Sequence, residues 1–282
     1  MSKPLIDILM ITYNRPEYTR MALSRLLDTC DEQMRVWIWH NGMHAETLAI
    51  AKEFSTHPRV YKFHHSEQNT RLTTPTNWLW KEGDAPFVCK VDDDCLMPDN
   101  WGDTLRAAHA ANPKFGAIGC WRFPEQDTVM EIASKKIQEF AGGHKIMRNC
   151  WVEGSGYLMK RECINQCGVL KEGQSWVQYN IEIAAAGWIN GWYFPFLYQD
   201  HMDDPLSPNT LLKTDADLQK YMPLSAEKNG TLTLKEWDAL NRRAARQMQE
   251  CSFNPSHYRG WRKKWKGLKR RARALIGHKE HW

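Results

Sequence analysis

Phe87-Val88-Cys89-Lys90-Val91-Asp92-Asp93-Asp94 is a short apolar run that ends abruptly in three carboxylates. Such a run reads as a buried strand whose end opens on a polar edge. Upstream, residues 5–12 (Leu-Ile-Asp-Ile-Leu-Met-Ile-Thr) form a similar run closed by Tyr13-Asn14-Arg15-Pro16, and a helical pattern follows over 16–27. Val36-Trp37-Ile38-Trp39 leads into His40-Asn41-Gly42, with a helix over 46–54; residues 60–64 are a third strand and 75–81 a further helix. Strands alternating with helices at this spacing predict parallel βαβ units with helices on both faces. Ligands of such sheets bind at the carboxyl ends of the strands, so the loops at 12–15, 40–42 and 92–94 should open on one edge.

Beyond this half, residues 116–121 read as another strand, and 154–156 (Gly-Ser-Gly) as a close approach of backbone to ligand. A short helix is expected at 182–186, a strand-like segment at 192–198 leading to Gln199-Asp200-His201, and a polar helical pattern over about 211–250.

The 282 residues, 42% hydrophobic and 25% charged, are those of an ordinary globular chain and exclude a fibrous or disordered one. Fourteen tryptophans suit stacking clefts or interfaces. The net charge of +5 divides unevenly: residues 257–282 carry ten Lys/Arg and one acid, leaving 28 basic against 32 acidic side chains before them. Eight scattered cysteines without a CxxC pair read as free thiols of a reducing compartment. The polar N-terminus fits no signal peptide, and the apolar stretch 183–198 is broken by Asn190, two glycines and Pro195. The chain is expected to be cytoplasmic, either soluble or peripheral on the inner face of the cell membrane.

Three adjacent aspartates repel one another, and a divalent cation is the natural remedy. Asp92 and Asp94 alternate along the strand end toward one side, and hard oxygen donors favour Mg²⁺ or Mn²⁺, which in turn hold a diphosphate. The plainer alternatives are a solvated acidic turn or a cap for a helix beginning near Pro98.

The ordered set Ile11-Thr12-Tyr13-Asn14-Arg15-Pro16, His40-Asn41-Gly42, Asn69 with Asn77, and Val91-Asp92-Asp93-Asp94-Cys95-Leu96-Met97-Pro98 resembles the family 2 glycosyltransferases of the GT-A fold. The resemblance covers about the first 100 residues and ends near 206. It implies an α/β architecture, a Rossmann-like, mostly parallel mixed sheet flanked by helices, with a C-terminal helical extension. The expected division is 1–205 for the transferase domain, 206–256 for the extension and 257–282 for a basic amphipathic tail. It implies transfer of a sugar from a nucleotide diphosphate, UDP or GDP, to a glycan or lipid-linked acceptor in cell-surface polysaccharide or lipopolysaccharide synthesis. By the same resemblance Thr12, Asn14, Arg15, Asn41, Arg71, Asn77, Asp92 and Asp93 line the nucleotide-sugar site. Asp92, Asp94 and His201 hold the Mn²⁺ or Mg²⁺. Asn41 stands where the family usually has an aspartate, which loosens the preference for uracil.

An inverting transfer needs a carboxylate to take the acceptor's proton. The family places it in a Glu-Asp pair at the start of the helix before the final strand, and Ser175 to Glu182 contains no such pair. Glu182 and Glu153 are the expected bases; inversion is the expected course, with retention left open by the missing pair. Trp121, Trp151 and Trp176 are expected to cover the apolar face of the acceptor, whereas Trp37, Trp39, Trp78 and Trp80 are expected to pack. The competing classes are a sugar nucleotidyltransferase, disfavoured because residues 12–16 lack glycine, and a non-catalytic adaptor on a degenerate transferase fold.

In the tail, Trp261, Trp265, Leu268, Ala272, Leu275 and Ile276 recur at helical spacing among eight Lys/Arg. This pattern lies on anionic membranes, each basic residue contributing on the order of 1 kcal/mol. Docking of this helix on the protein's own acidic body or on a partner is the second reading; nucleic acid, which gives no reason for an apolar stripe with two tryptophans, comes third and is not expected as a partner. Glutamine at Lys263, Lys264, Lys266, Lys269, Arg270 and Arg271 of the full chain should abolish flotation with anionic vesicles at low salt. Unchanged flotation would disprove the membrane reading.

Overall fold

The computed structural model describes residues 5–259, so the tail reading lies outside the described residues from position 260 onward. The first strand, β1 (Ile6–Thr12), is buried at all seven positions, the pattern of a strand covered on both faces. Then come α1 (Pro16–Asp28), β2 (Met34–Asn41), α2 (Ala45–Phe54), β3 (Val60–Ser66), α3 (Thr73–Glu82) and β4 (Phe87–Asp92). These four strands run parallel in the order β3-β2-β1-β4, as the alternating pattern requires. Register places Thr12 opposite His40 and Ile11 opposite Asp92, so the three polar loops share one edge.

After a two-residue strand, β5 (Cys95–Leu96), and α4 (Trp101–Ala111), the sheet grows on its other side. Strands β6 (Phe115–Gly119), β7 (Ile137–Glu139), β8 (Lys145–Asn149), β9 (Tyr157–Lys160) and β10 (Ile189–Phe194) complete a nine-stranded sheet ordered β3-β2-β1-β4-β9-β6-β10-β8-β7. Strand β9 is antiparallel to both β4 and β6, and β8 is antiparallel to β10, which makes the sheet mixed. Short α5 (Met130–Ala133) precedes β7, and α6 (Arg161–Cys167) and α7 (Trp176–Ala185) precede β10. The strand expected at 116–121 ends two residues early, and that expected at 192–198 starts at Ile189 and stops at Phe194. The three short strands β7 to β9 carried no legible alternation.

The chain then returns to the polar edge. Strand β11 (Asp200–His201) pairs antiparallel with β5, setting His201 opposite Cys95. The expected polar helix over 211–250 is three helices: α8 (Asp215–Lys220), α9 (Leu224–Asn229) and α10 (Leu234–Glu250). Thr233 and Glu236 form a capping box that starts α10. This last helix is clasped to the body. Trp237 Nε1 donates to the Asp203 carbonyl at 2.6 Å, Arg242 pairs with Asp127 and Asp204, and Gln249 Oε1 accepts from Val129 N–H at 2.7 Å.

Two apolar layers fill the faces of the sheet, one built on Ile8, Met10, Leu23 and Leu105, the other on Leu9, Trp37, Trp80, Trp121 and Trp192. Trp37 and Trp39 are buried and meet Trp78 edge-on, in agreement with their expected packing role. The first layer also buries His109, whose ring donates from Nε2 to the Leu158 carbonyl at 3.0 Å between Phe87 and Phe115. Burial, helped by Lys160, lowers its pKa from 6.5 to about 3. Between pH 6.5 and 3 the unfolded chain therefore binds a proton that the folded chain refuses, so this group removes stability as pH falls. His109→Gln, which keeps a donor for Leu158, should show a smaller drop in Tm between pH 7 and pH 5 than the wild type.

Candidate functional site

At the carboxyl end of β4 the chain brings four carboxylates together: Asp92, Asp93, Asp94 and, from the loop after β11, Asp203. Two cations answer them. The Arg15 guanidinium, at the start of α1, reaches Asp203 Oδ2 at 2.6 Å, Asp94 Oδ2 at 2.7 Å and Asp93 Oδ1 at 3.3 Å, and Lys90 Nζ pairs with Asp92. Formal charge is thus two short of balance. Burial and the neighbouring Asp94 push Asp203 up to about 8 against the pull of Arg15, so at neutral pH it keeps a proton and hydrogen-bonds Asp94. Burial would raise Asp94 as well, but Arg15 and then His201 hold it below the usual carboxylate range.

Each aspartate has a different task. Asp93 Oδ2 accepts from the Tyr13 N–H at 3.0 Å and from Thr19 Oγ1 at 3.2 Å, pinning the β1–α1 loop. Burial raises its pKa to about 6. Its expected contact with a nucleotide is therefore corrected to an internal brace: both oxygens are taken by this chain. Asp94 Oδ1 faces His201 Nε2 at 4.0 Å and accepts from Cys95 Sγ at 3.4 Å. Those three donor atoms lie within 4.8 Å of one another, close enough to share one cation. Asp92 is outside that group; it turns to Lys90, while its N–H donates to Ser155 Oγ at 3.0 Å. The expectation that Asp92 and Asp94 point to one metal gives way to an arrangement in which Asp92 stands beside it.

His201 is held from behind by Arg122, whose Nη1 lies 3.2 Å from Nδ1. Burial, then Arg122, lower its pKa to about 4, so the ring is neutral; while Nδ1 accepts from Arg122 its proton sits on Nε2, and ligation of a cation through Nε2 requires the other tautomer and a turn of Arg122 away from Nδ1. The wall beside Asp92 is the Gly154-Ser155-Gly156 loop. Gly156 has φ +65, and a Cβ there would come within 2.2 Å of Gln199 Oε1, so a side chain would be strained and would displace the Gln199 amide. Gln199 Nε2 in turn donates to the Ser155 carbonyl at 3.1 Å. Glu153, just before, accepts from Trp192 Nε1 at 2.6 Å, and burial raises its carboxyl above the usual range against the pull of Arg122.

The other expected ligands divide by exposure. Asn14 is exposed at φ 51, a conformation asparagine tolerates, and Arg71 is exposed at φ 57; both remain open to a ligand. Thr12 is buried and bonds His40 Nδ1 at 2.9 Å. Asn41 is buried with both ends of its amide engaged: Oδ1 accepts from Trp39 Nε1 and from both Thr70 N–H and Oγ1, and Nδ2 donates to the Arg71 carbonyl. It shapes the 70–71 loop. Asn77 likewise exchanges two hydrogen bonds with the Leu170 backbone, 2.8 and 3.0 Å, and is corrected to a clasp between α3 and the loop before α7. Arg15, expected in the nucleotide pocket, is committed to the carboxylates.

Of the expected acceptor residues, Trp121 is fully buried, stacked on Phe196 and edge-on to Trp192. Trp151 is buried against Tyr258. Both are corrected to core residues, because indole area serves packing as well as it serves sugar. Trp176 is half-buried; its ring stacks on Tyr157 and its N–H donates to the Val152 and Glu153 carbonyls, each at 3.0 Å. Glu182 sits on α7 near Cys167 and Tyr179, and no contact joins it to the carboxylates among the described residues. Sequence reading missed Asp203 and Cys95. Cys95 adjoins the aspartates in the chain, whereas Asp203 joins them only through tertiary folding.

The family model for glycosyl transferase family 2 matches residues 7–172. No curated protein sequence matches. Among solved structures the chain is similar to the mannosyltransferase PcManGT from Pyrobaculum calidifontis in complex with GDP-Man and Mn²⁺. The TM-score is 0.57 and the identity 15%, over 95% of this chain and 84% of that one. It is also similar to GalNAc-T7 with UDP, GalNAc and Mn²⁺, at TM-score 0.55 and 11% identity over 71% of this chain and 44% of that one.

Removing the central cation has a predictable cost. Arg15→Gln leaves three buried carboxylates facing one another and should destabilise the protein by about 3–5 kcal/mol at pH 7. Their folded pKa values then rise, so the deficit in Tm should shrink as pH is lowered from 7 to 5. A deficit independent of pH would contradict the charge argument.

Proposed function

The chain belongs to glycosyl transferase family 2, and from that premise we propose that it transfers a sugar from a nucleotide diphosphate to an acceptor hydroxyl with the help of Mn²⁺ or Mg²⁺. The observation that carries the reading is the approach of Asp94 Oδ1 to His201 Nε2 at 4.0 Å within a carboxylate cluster that stays one positive charge short of balance with Asp203 protonated. A dication supplies that charge, and when bound it stabilises the departing diphosphate as a Lewis acid. Asp94 and His201 would hold it. The presence of Mn²⁺ with GDP-Man in one similar structure, and with UDP in the other, supports both the cation and the donor class.

On the donor side, Asn14 and Arg71 are the exposed groups at the strand ends that are free to meet the nucleotide. Lys90, drawn to Asp92, is placed to meet negative charge at the same edge. On the acceptor side, Glu153 takes the proton. The family's Glu-Asp position, at the start of α7, is Ser175-Trp176 here, and the Trp176 ring holds the Glu153 peptide at that place. As the acceptor oxygen bonds to the anomeric carbon, the sugar–phosphate bond breaks and its electron pair leaves with the nucleotide diphosphate. The hydroxyl proton passes to the Glu153 carboxylate, and the anomeric configuration inverts. A raised pKa makes Glu153 a stronger base than an exposed glutamate.

The acceptor is a glycan or lipid-linked glycan, in keeping with a basic tail that would hold the protein at the inner membrane face. Among the described residues no helix is long and apolar enough to cross a membrane. A panel of UDP-, GDP-, CDP- and dTDP-sugars with and without Mn²⁺ tests the proposal, following donor consumption. We expect one donor to be turned over only with the cation. Asp94→Asn should lose turnover and cation binding together, by 100-fold or more in order of magnitude. Glu153→Gln, which can still accept from Trp192, should lose turnover at unchanged nucleotide affinity. Cation-independent turnover, or full activity of Asp94→Asn, would overturn the proposal.

A further inference from the structure

Cys95 gives the cation site a character that carboxylates and imidazole alone would not. The β5–β11 register places Cys95 directly opposite His201, so thiol and imidazole project to the same face of a two-residue ladder. Cys95 is buried, its sulfur lies 3.4 Å from Asp94 Oδ1, and the Met202 N–H bonded to the Asp94 carbonyl at 2.8 Å locks the ladder.

We propose that Asp94, Cys95 and His201 form a three-donor site that takes a thiophilic divalent cation of the Zn²⁺ class more tightly than Mn²⁺ or Mg²⁺. The proposal rests on the preceding reading in one respect, that Asp94 and His201 are cation ligands. Tetrahedral zinc, with bonds of about 2.3 Å to sulfur and about 2.0 Å to nitrogen or oxygen, sets its donor atoms roughly 3.3–3.6 Å apart. The observed O–S separation of 3.4 Å already fits, the O–N separation of 4.0 Å closes with a small side-chain shift, and the S–N separation falls within 4.8 Å.

Binding replaces the Cys95 S–H bond by a thiolate–metal bond and releases that proton to solvent, leaving a fourth position for water or a phosphate oxygen. Hard Mg²⁺ and Mn²⁺ gain little from sulfur, and the ordinary affinity order already favours Zn²⁺ over Mn²⁺. Such a cation would compete with the catalytic one for Asp94 and His201. The thiol therefore makes the site selective in a direction that opposes turnover in Mn²⁺.

Cobalt(II) reports thiolate ligation by a sulfur-to-metal charge-transfer band in the near ultraviolet, separate from its visible ligand-field bands. Titrating the full-length protein with Co²⁺ should produce both sets of bands. Cys95→Ser should keep the ligand-field bands and lose the charge-transfer band, with its Zn²⁺ Kd raised at least about 10-fold and its Mn²⁺ Kd shifted much less. Cys95→Ala, checked for an unchanged Tm, gives the same comparison if serine perturbs folding. Ligand-field bands without charge transfer in the wild type, or charge transfer that survives Cys95→Ser through another thiol, would overturn the role of Cys95 and leave the Asp94–His201 reading standing. Co²⁺ affinity that is the same in the wild type, Asp94→Asn and His201→Ala would overturn both.

Discussion

Arg15 is the constraint on which the site depends. Carboxylates crowded at the end of a buried strand cannot all stay ionised without a counter-charge held in fixed geometry. A guanidinium is suited to this because its planar fork meets several oxygens at once and does not deprotonate. Here it bonds Asp93 and Asp94 from one end of the sheet edge and Asp203 from a loop more than a hundred residues later. One side chain thereby joins the β1–α1 loop, the β4 terminus and the return segment after β11. Because it spends its donors on protein, Asp94 is left with one oxygen directed at His201, and the site's specificity is set by what can fit there.

The wall around this centre is built from groups whose polar atoms are almost all occupied. Gln199, Ser155 and the Asp92 N–H form a chain of hydrogen bonds, and Gly156 leaves no space between the loop and Gln199. Trp176 supports the same loop through the Glu153 and Val152 carbonyls. A preorganised wall of this kind keeps a carboxylate near its working position without a ligand to hold it. The open positions, Asn14 and Arg71, are the ones with left-handed backbone, where the chain turns outward and side chains escape internal partners.

The parallel half was legible because its physics is local. Each strand is a continuous apolar run, each loop carries polar residues at the strand's carboxyl end, and the βαβ spacing dictates a common edge. Asp94 is placed at that edge for the same reason, whereas His201 was named only through the family resemblance. Asn41, Asn77, Trp121 and Trp151 were misread because an amide or an indole serves an internal partner as readily as a ligand. Only three-dimensional packing reveals that Asn77 faces Leu170 or that Trp121 lies under Phe196. Strands β7 to β9 are three to five residues long, and β8 and β9 also pair with distant segments, which leaves little periodicity to read. Asp203 was invisible for a related reason: its loop reaches the aspartates only because β11 pairs with β5.

The clasp of α10 on the 201–204 loop has a consequence for the order of events at the ribosome. Synthesis delivers Arg15, Asp93, Asp94 and the parallel strands first, and domains acquire structure from the N-terminus as they emerge. His201 and Asp203 follow much later, and the Trp237 indole and Arg242 that anchor their loop later still. A nascent chain halted before residue 237 therefore carries His201 and Asp203 without the indole and guanidinium that anchor their loop.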